Sequence, residues 1–240
     1  MSQVPLLPLA MPPAMKDIDL RCCDVVELFD EVRGARLVIM DPPWSYSNNG
    51  DPTRSAGQKY PCLPMRTIAL HAEQAYDCAA EDAYLILWAT FPLLGEWMVD
   101  ELQGSIRWTY VTGGAWAKVG APGAGFHWRG NAEPVLIYRK GRPKPTSTEI
   151  LRSTHVTEQH RGRGARRWGD ALEHSEKPID WQRNMLRCWS SPGDLVLDVY
   201  AGLGSVARAC LAEGRRYVGA EIDPDRHRIA MTKLAQGRGL

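Results

Sequence analysis

The stretch Asp194-Leu-Val-Leu-Asp198-Val-Tyr200-Ala-Gly202-Leu-Gly204-Ser205 constrains the fold of this chain more than any other. Its short apolar run has the character of a strand buried on both faces of a parallel sheet. It breaks into two glycines, and Ser205 to Glu213 then reads as a helix. In open parallel sheets such a turn lies at the carboxyl edge, where ligands bind and where a bulky side chain would keep the backbone away from them. The next strand, Tyr217 to Ala220, ends in Glu221-Ile222-Asp223. That places a carboxylate one strand over, able to accept hydrogen bonds from both hydroxyls of a ribose. The turn is G-x-G rather than G-x-G-x-x-G, and no P-loop lysine and serine follow it. A ligand with a nucleoside but no phosphate fits this pattern, and S-adenosylmethionine is such a ligand. The residues expected to contact it are Asp198, Tyr200, Ala201, Gly202, Gly204, Glu221 and Ile222.

The rest of the chain repeats the alternation of strand and helix. Asp24 to Phe29 reads as a short helical turn, Ala35 to Met40 as a buried strand, Thr67 to Ala80 as a helix, Ala83 to Ala89 as a strand and Phe91 to Leu102 as a helix. Thr109 to Lys118 and Pro134 to Arg139 read as strands joined by a glycine-rich connection, a hairpin-like end to the sheet. Lys140 to Glu176 reads as a long basic loop. A helix from Pro178 to Trp189 precedes the strand Leu195 to Val199, and another helix follows Pro224. The expected class is α/β, with a mainly parallel sheet, an antiparallel edge and helices on both faces. Residues 1–20 read as an extended tail and residues 21–240 as one domain.

Asp41-Pro42-Pro43-Trp44 follows directly on the first buried strand, so its side chains should emerge at the same sheet edge as the glycine turn. The two prolines end the ladder and hold their carbonyls rigidly. An aromatic amino group is a poor nucleophile because its lone pair is delocalised into the ring. The Asp41 carboxylate and the Pro42 carbonyl, accepting its two N–H bonds, can localise that pair and aim it at an electrophilic methyl. Trp44 offers a face on which an extruded base can stack. Asp41, Pro42, Pro43 and Trp44 are the expected catalytic set, with Asp41 also at the cofactor.

With these pieces in hand, the chain resembles the adenine amino-methyltransferase family that carries D-P-P-W. That family includes the catalytic subunit of the eukaryotic messenger-RNA methyltransferase and its bacterial and phage DNA-methylating relatives. The resemblance runs from about Arg21 to the C-terminus and includes the permuted order, with the tetrapeptide ahead of the glycine turn. It implies a Rossmann-like S-adenosylmethionine-dependent methyltransferase fold. It also implies that Cys23-Asp24-Val25 cradles the cofactor adenine, and that Trp116-Ala-Lys118 with Arg129-Gly-Asn131-Ala-Glu133 lies near the substrate. In His174-Ser175-Glu176-Lys177-Pro178, Ser175 and Lys177 would contact the cofactor, the lysine through its methionine carboxylate. The intact LDVYAGLGS turn leans the substrate toward DNA rather than RNA. The implied activity is methyl transfer to the N6 of adenine in DNA, with RNA adenine, cytosine N4 or a non-catalytic binding partner as alternatives.

A net charge of +1 gives no overall attraction to a polyanion, so nucleic acid must meet a local basic surface. Arg161, Arg163, Arg166 and Arg167 supply one within the basic loop at 140–176. Tyr46, Asn48 and Arg54, in a second loop at 45–66, are further candidates, as are Lys118, Arg129, Asn131 and Glu133 around a third at 119–133. No separate target-recognition domain is visible, so specificity is short or relaxed unless a second subunit, as homodimer or heterodimer, adds to it. The six cysteines have no zinc-ligand spacing, and no metal is expected. The proline-broken opening lacks a basic leader segment and is no membrane span. The expectation is therefore a soluble cytoplasmic protein of bacterial or phage origin.

Overall fold

The computed structural model describes residues 15–45, 62–99, 104–119, 127, 130–147, 153–158 and 176–237. In chain order these form β1 (Ile18–Arg21), α1 (Val26–Glu31), β2 (Ala35–Met40), α2 (Met65–Cys78), β3 (Ala79–Trp88), α3 (Phe91–Met98), β4 (Thr109–Val119), β5 (Ala132–Lys140) and β6 (Thr154–Glu158). They continue with α4 (Ile179–Trp189), β7 (Leu195–Asp198), α5 (Ser205–Glu213), β8 (Arg216–Ala220) and α6 (Pro224–Ala235). The strands lie in one eight-stranded sheet of order β1-β8-β7-β2-β3-β5-β4-β6. From β1 to β3 every pairing is parallel. β5 runs antiparallel to both β3 and β4, so the expected hairpin-like end is present.

Side-chain alternation along the strands builds two cores, one on each face. Val38, Met40, Leu85, Leu87 and Leu197 point to the face covered by α1, α2 and α3, where Leu28, Ile68, Ala72 and Trp97 meet them. Leu37, Ile39, Ile86 and Val196 point to the other, covered by Trp181 and Met185 of α4, Ala207 and Cys210 of α5, and Leu234 of α6. The connection after β2 leads away to β3, whereas that after β7 leads the opposite way to β8. The sheet therefore reverses its winding between β7 and β2, and such a switch point leaves a crevice at the strands' carboxyl ends.

Several sequence expectations need correction. Residues 1–20 are not wholly a tail: Ile18–Arg21 is an edge strand paired with β8 in parallel, and Met15 is buried. The stretch 140–176 is not all loop, since Thr154–Glu158 pairs with β4. The helix expected over Thr67 to Ala80 runs from Met65 to Cys78, and Ala79 already belongs to β3.

Gly202 and Gly204 both adopt positive φ, +56° and +75°. A Cβ on Gly204 would stand 3.2 Å from the Ala230 Cβ of α6. Gly204 is thus needed for the left-handed start of α5 and its packing on α6. Replacing it with alanine should destabilise the fold by roughly 1–2 kcal/mol through the left-handed backbone alone. Denaturant unfolding of Gly204→Ala should show a lowered midpoint, and an unchanged midpoint would contradict this account.

Candidate active site

A cleft of about 320 Å³ opens at the switch point. Its walls come from six strand ends and the helices beside them: Cys23, Asp24 and Val25 after β1, Asp41 to Trp44 after β2, and Ala89 and Thr90 after β3. Glu133 of β5, Asp198 to Leu203 at the glycine turn, and Glu221 with Ile222 after β8 complete the ring of strand ends. The two segments expected to meet do so, because β2 and β7 are neighbours with Ile39 opposite Asp198.

The acceptor side centres on Asp41. Its Oδ2 lies 2.6 Å from Lys177 Nζ, and Lys177 Nζ lies 3.2 Å from Glu133 Oε2. Lys118 completes the chain by donating to Glu133 Oε1 while lying 4.1 Å above the Trp116 ring. Lys177 is only 7% exposed. Burial works against its charge, but Asp41 and Glu133 together outweigh burial and hold its pKa above the usual lysine value. Burial likewise works to raise Glu133, yet Lys177 and Lys118 leave it below its ordinary value. At Asp41 burial prevails, pushing the carboxyl up against the opposing pull of Lys177. Asp41 and Glu133 of the chain thus hold the lysine for which a cofactor carboxylate was expected from sequence.

The tetrapeptide is tightly tied. Trp44 N–H donates to the Pro42 carbonyl at 2.9 Å, and Leu63 N–H donates to the Pro43 carbonyl at 2.8 Å. The Trp44 indole donates to the Trp88 carbonyl at 3.1 Å and packs edge-on against Trp97. Trp44 is therefore a fixed, mostly buried wall of the cleft, while Trp116 is core, packed edge-on against Trp88.

On the other side, Glu221 Oε1 accepts from the Asp223 N–H at 2.9 Å, and the Gly202 N–H also bonds to this carboxylate. Burial nonetheless raises its pKa. Asp198 is 1% exposed and accepts from the Tyr217 hydroxyl at 3.0 Å. Burial pushes its carboxyl up to about 7, with Tyr217 opposing. The Tyr200 hydroxyl is hydrogen-bonded to His71 Nδ1 at 2.8 Å, and burial keeps that imidazole below its usual pKa.

Of the residues proposed from sequence, the cleft gathers Asp41 to Trp44, Cys23 to Val25, Lys177, Asp198, Tyr200, Ala201, Gly202, Glu221 and Ile222. Gly204 is not among them, because its open side faces α6. Glu133, grouped with nucleic-acid contacts, is a cleft residue paired with Lys118 and Lys177, while Asn131 is exposed. Tyr46, Asn48, Arg54, Arg129, Arg161, Arg163, Arg166, Arg167 and Ser175 lie outside the described residues. Sequence reasoning missed His71, Glu176, Gln182 and Arg226, all in the cleft wall. Among these only Glu176 carried a signal, its place in the stretch around Lys177.

Comparison with known proteins places the chain beside DNA-modifying enzymes. A family model described as DNA methylase, N6_N4_Mtase, matches residues 98–232, more than half of the chain, with Asp41 to Trp44 outside the match. Type II methyltransferase M.HhaII of Haemophilus parahaemolyticus is 23% identical over 214 residues, covering 82% of this chain and 87% of that protein. DNA adenine methyltransferase YhdJ of Escherichia coli is 27% identical over 107 residues, 44% of this chain and 35% of that protein. Several further relatives are likewise matched over no more than 39% of their length. The crystal structure of the M1.HpyAVI–SAM complex superposes with a TM-score of 0.67 at 14% identity, over 90% of this chain and 98% of that one. PvuII DNA methyltransferase, cytosine-N4-specific, superposes with a TM-score of 0.64 at 13% identity, over 92% of this chain and 86% of that one. At these identities the likeness is one of fold, the α/β fold of S-adenosylmethionine-dependent methyltransferases.

The Asp198 shift has a consequence for stability. In the unfolded chain its carboxyl titrates near ~3.9, against about 7 when folded. Between these values the folded protein keeps a proton that the unfolded chain has lost. Stability therefore falls as pH rises through this window and levels off above it, by at most about 1.4 kcal/mol per pH unit. Asp198→Asn removes that slope. Denaturant unfolding at several pH values between about 4 and 7 should show the wild type losing stability relative to the variant as pH rises, and parallel curves would refute it.

Proposed function

We propose, since the chain belongs to the N6/N4 DNA methylase family, that it transfers a methyl group from S-adenosylmethionine to the N6 amino group of adenine in DNA. The observation that carries this reading is the meeting of Asp41, at the end of β2, with the glycine turn and Glu221 in one cleft. The residues fit the cofactor. Glu221 is fixed by backbone N–H groups of Asp223 and Gly202 and offers acceptors suited to a ribose diol. Cys23, Asp24 and Val25 form the adjoining wall, where the adenine ring would lie. The positive φ of Gly202 keeps this turn free of a side chain, and a Cβ there would press on Arg226. A cleft of this size is of the order expected for a small-molecule site. When bound, S-adenosylmethionine supplies an electrophilic sulfonium methyl.

Asp41 orients the acceptor. Lys177 takes its Oδ2, so one amino N–H of the target base falls to Oδ1, while the second lone pair of the Pro42 carbonyl receives the other. Both contacts localise the nitrogen lone pair toward the methyl. Lys177, with Glu133 behind it, fixes the carboxylate's rotation, so alignment precedes arrival of the base. No strong base is needed, because the ammonium first formed on the amino nitrogen is acidic and loses its proton to solvent. Adenine is favoured over cytosine by the D-P-P-W tetrapeptide. The basic stretch Arg161 to Arg167 gives the chain a means of following a DNA backbone.

Incubation with duplex DNA and S-adenosylmethionine, followed by nucleoside mass spectrometry, should yield N6-methyladenine. N4-methylcytosine as the sole product would overturn the base assignment, and methylation of RNA alone the choice of polymer. Asp41→Ala should lower the methylation rate by at least about a hundredfold while DNA binding persists, and undiminished turnover would remove Asp41 from its role. Neutralising Arg161, Arg163, Arg166 and Arg167 should weaken DNA binding and flatten its dependence on salt. An unchanged slope of log K against log salt would take this stretch out of the interface.

A further inference from the structure

The bond between Tyr200 and His71 crosses the cleft wall from the glycine turn to α2, and the proposed reaction gives it no task. The Tyr200 backbone is pinned on both sides: the Val199 N–H donates to the Ile39 carbonyl at 3.0 Å and the Ala201 N–H to the Ala220 carbonyl at 2.9 Å. What remains free is the ring, which can turn about its side-chain bonds. It packs against the core on the α2 face of the sheet and is only partly buried, because it also lines the cleft. Its body suits an apolar wall, but its hydroxyl needs a partner there.

His71 is that partner. It is 7% exposed, and its Nδ1 lies 2.8 Å from the hydroxyl, which makes no other hydrogen bond among the described residues. The imidazole is itself held by two rings, Phe29 of α1 at 5.7 Å and Tyr200 at 5.9 Å between centroids. Burial lowers the pKa of His71 and raises that of Tyr200, so the bond joins two uncharged groups. Such a bond is asymmetric in its effect. Removing one partner leaves the other unsatisfied and is costly, whereas making both sides apolar can be nearly neutral. Without His71 the hydroxyl must find water, and the open side of its ring is the cleft. The ring would then turn its tip into the space that the cofactor is to fill.

We propose that His71 is a positioning residue, which holds the Tyr200 ring back in the cleft wall by its hydroxyl and so keeps the cofactor's place open. This inference rests on the cofactor reading given above.

The test is calorimetric titration of the full chain with S-adenosylmethionine. His71→Leu should weaken binding by about tenfold. Adding Tyr200→Phe to that variant should bring the affinity back to within about twofold of the wild type, since no hydroxyl is left to seek water. A general loss of packing gives the opposite, a double variant no better than His71→Leu, and that result overturns the proposal, as does wild-type affinity in His71→Leu. Tyr200→Phe should bring no such gain to the wild type, and an equal gain in both backgrounds overturns the coupling. Should His71→Leu fail to fold, His71→Asn and His71→Ala take its place. Asparagine reaches the hydroxyl from near the position of Nδ1 and alanine does not, so the first should bind about tenfold more tightly than the second, and equal affinities overturn the contact. A wild type that does not bind S-adenosylmethionine defeats the cofactor reading itself, a result distinct from binding that is indifferent to the His71 substitutions.

Discussion

The pairing of β2 with β7 is the constraint on which the site depends. Val38 stands opposite Leu197 and Ile39 opposite Asp198, and the Val199 N–H donates to the Ile39 carbonyl at 3.0 Å just past the ladder. Two residues beyond Ile39 comes Asp41, and two beyond Asp198 comes Tyr200, so this register puts the carboxylate beside the glycine turn. Burial on both faces holds it. A slip of one residue would exchange the sets facing the two cores, moving Val38 and Met40 to the side that Leu37 and Ile39 now fill. The site exists because the sheet joins the two segments.

A second constraint is electrostatic. Lys118, Glu133, Lys177 and Asp41 alternate in sign through the back of the cleft. A buried lysine with one partner removed would be strongly destabilising, whereas between two carboxylates its charge is maintained. The cluster also ties the halves of the sheet together: Glu133 comes from antiparallel β5, Lys177 from the entry to α4 and Asp41 from parallel β2. The orientation of Asp41 is therefore set partly by the antiparallel edge.

How much of this was legible in the sequence follows from local pattern. The buried strands Ala35–Met40 and Leu195–Asp198 were plain because a strand covered on both faces must be apolar throughout. Ile18–Arg21 and Thr154–Glu158 were missed for the converse reason. Both are sheet edges, paired on one side, and Val156 is exposed, so neither needed an apolar run. The tetrapeptide, the glycine turn and Glu221 were readable as strand-end chemistry. His71 was not readable as a cleft residue, since its place depends on how α2 packs, and Glu133 was placed near the substrate by family resemblance alone, its ion pairs depending on β5 register. Gln182 went unassigned from sequence, although its spacing from Met185 and Leu186 puts it on the buried face of α4. Gly204 was assigned to the ligand because a glycine allows two explanations, close approach or left-handed backbone, and the sequence does not separate them.

The chain order adds a last point. The family match spans residues 98–232 and so contains Glu133, Lys177, the glycine turn and Glu221, but not Asp41 to Trp44. Chain position does not govern what a parallel sheet brings together, and β2 enters between β7 and β3 from before the matched segment. Inside that segment, Lys177 is bonded to Asp41 at 2.6 Å and Glu133 stands behind it. A lysine buried within the matched residues thus needs a carboxylate from outside them, and its main partner is the first residue of the tetrapeptide. The two parts of the chain are therefore one electrostatic unit, and the role proposed for Asp41 draws on residues of the matched segment as much as on its own motif.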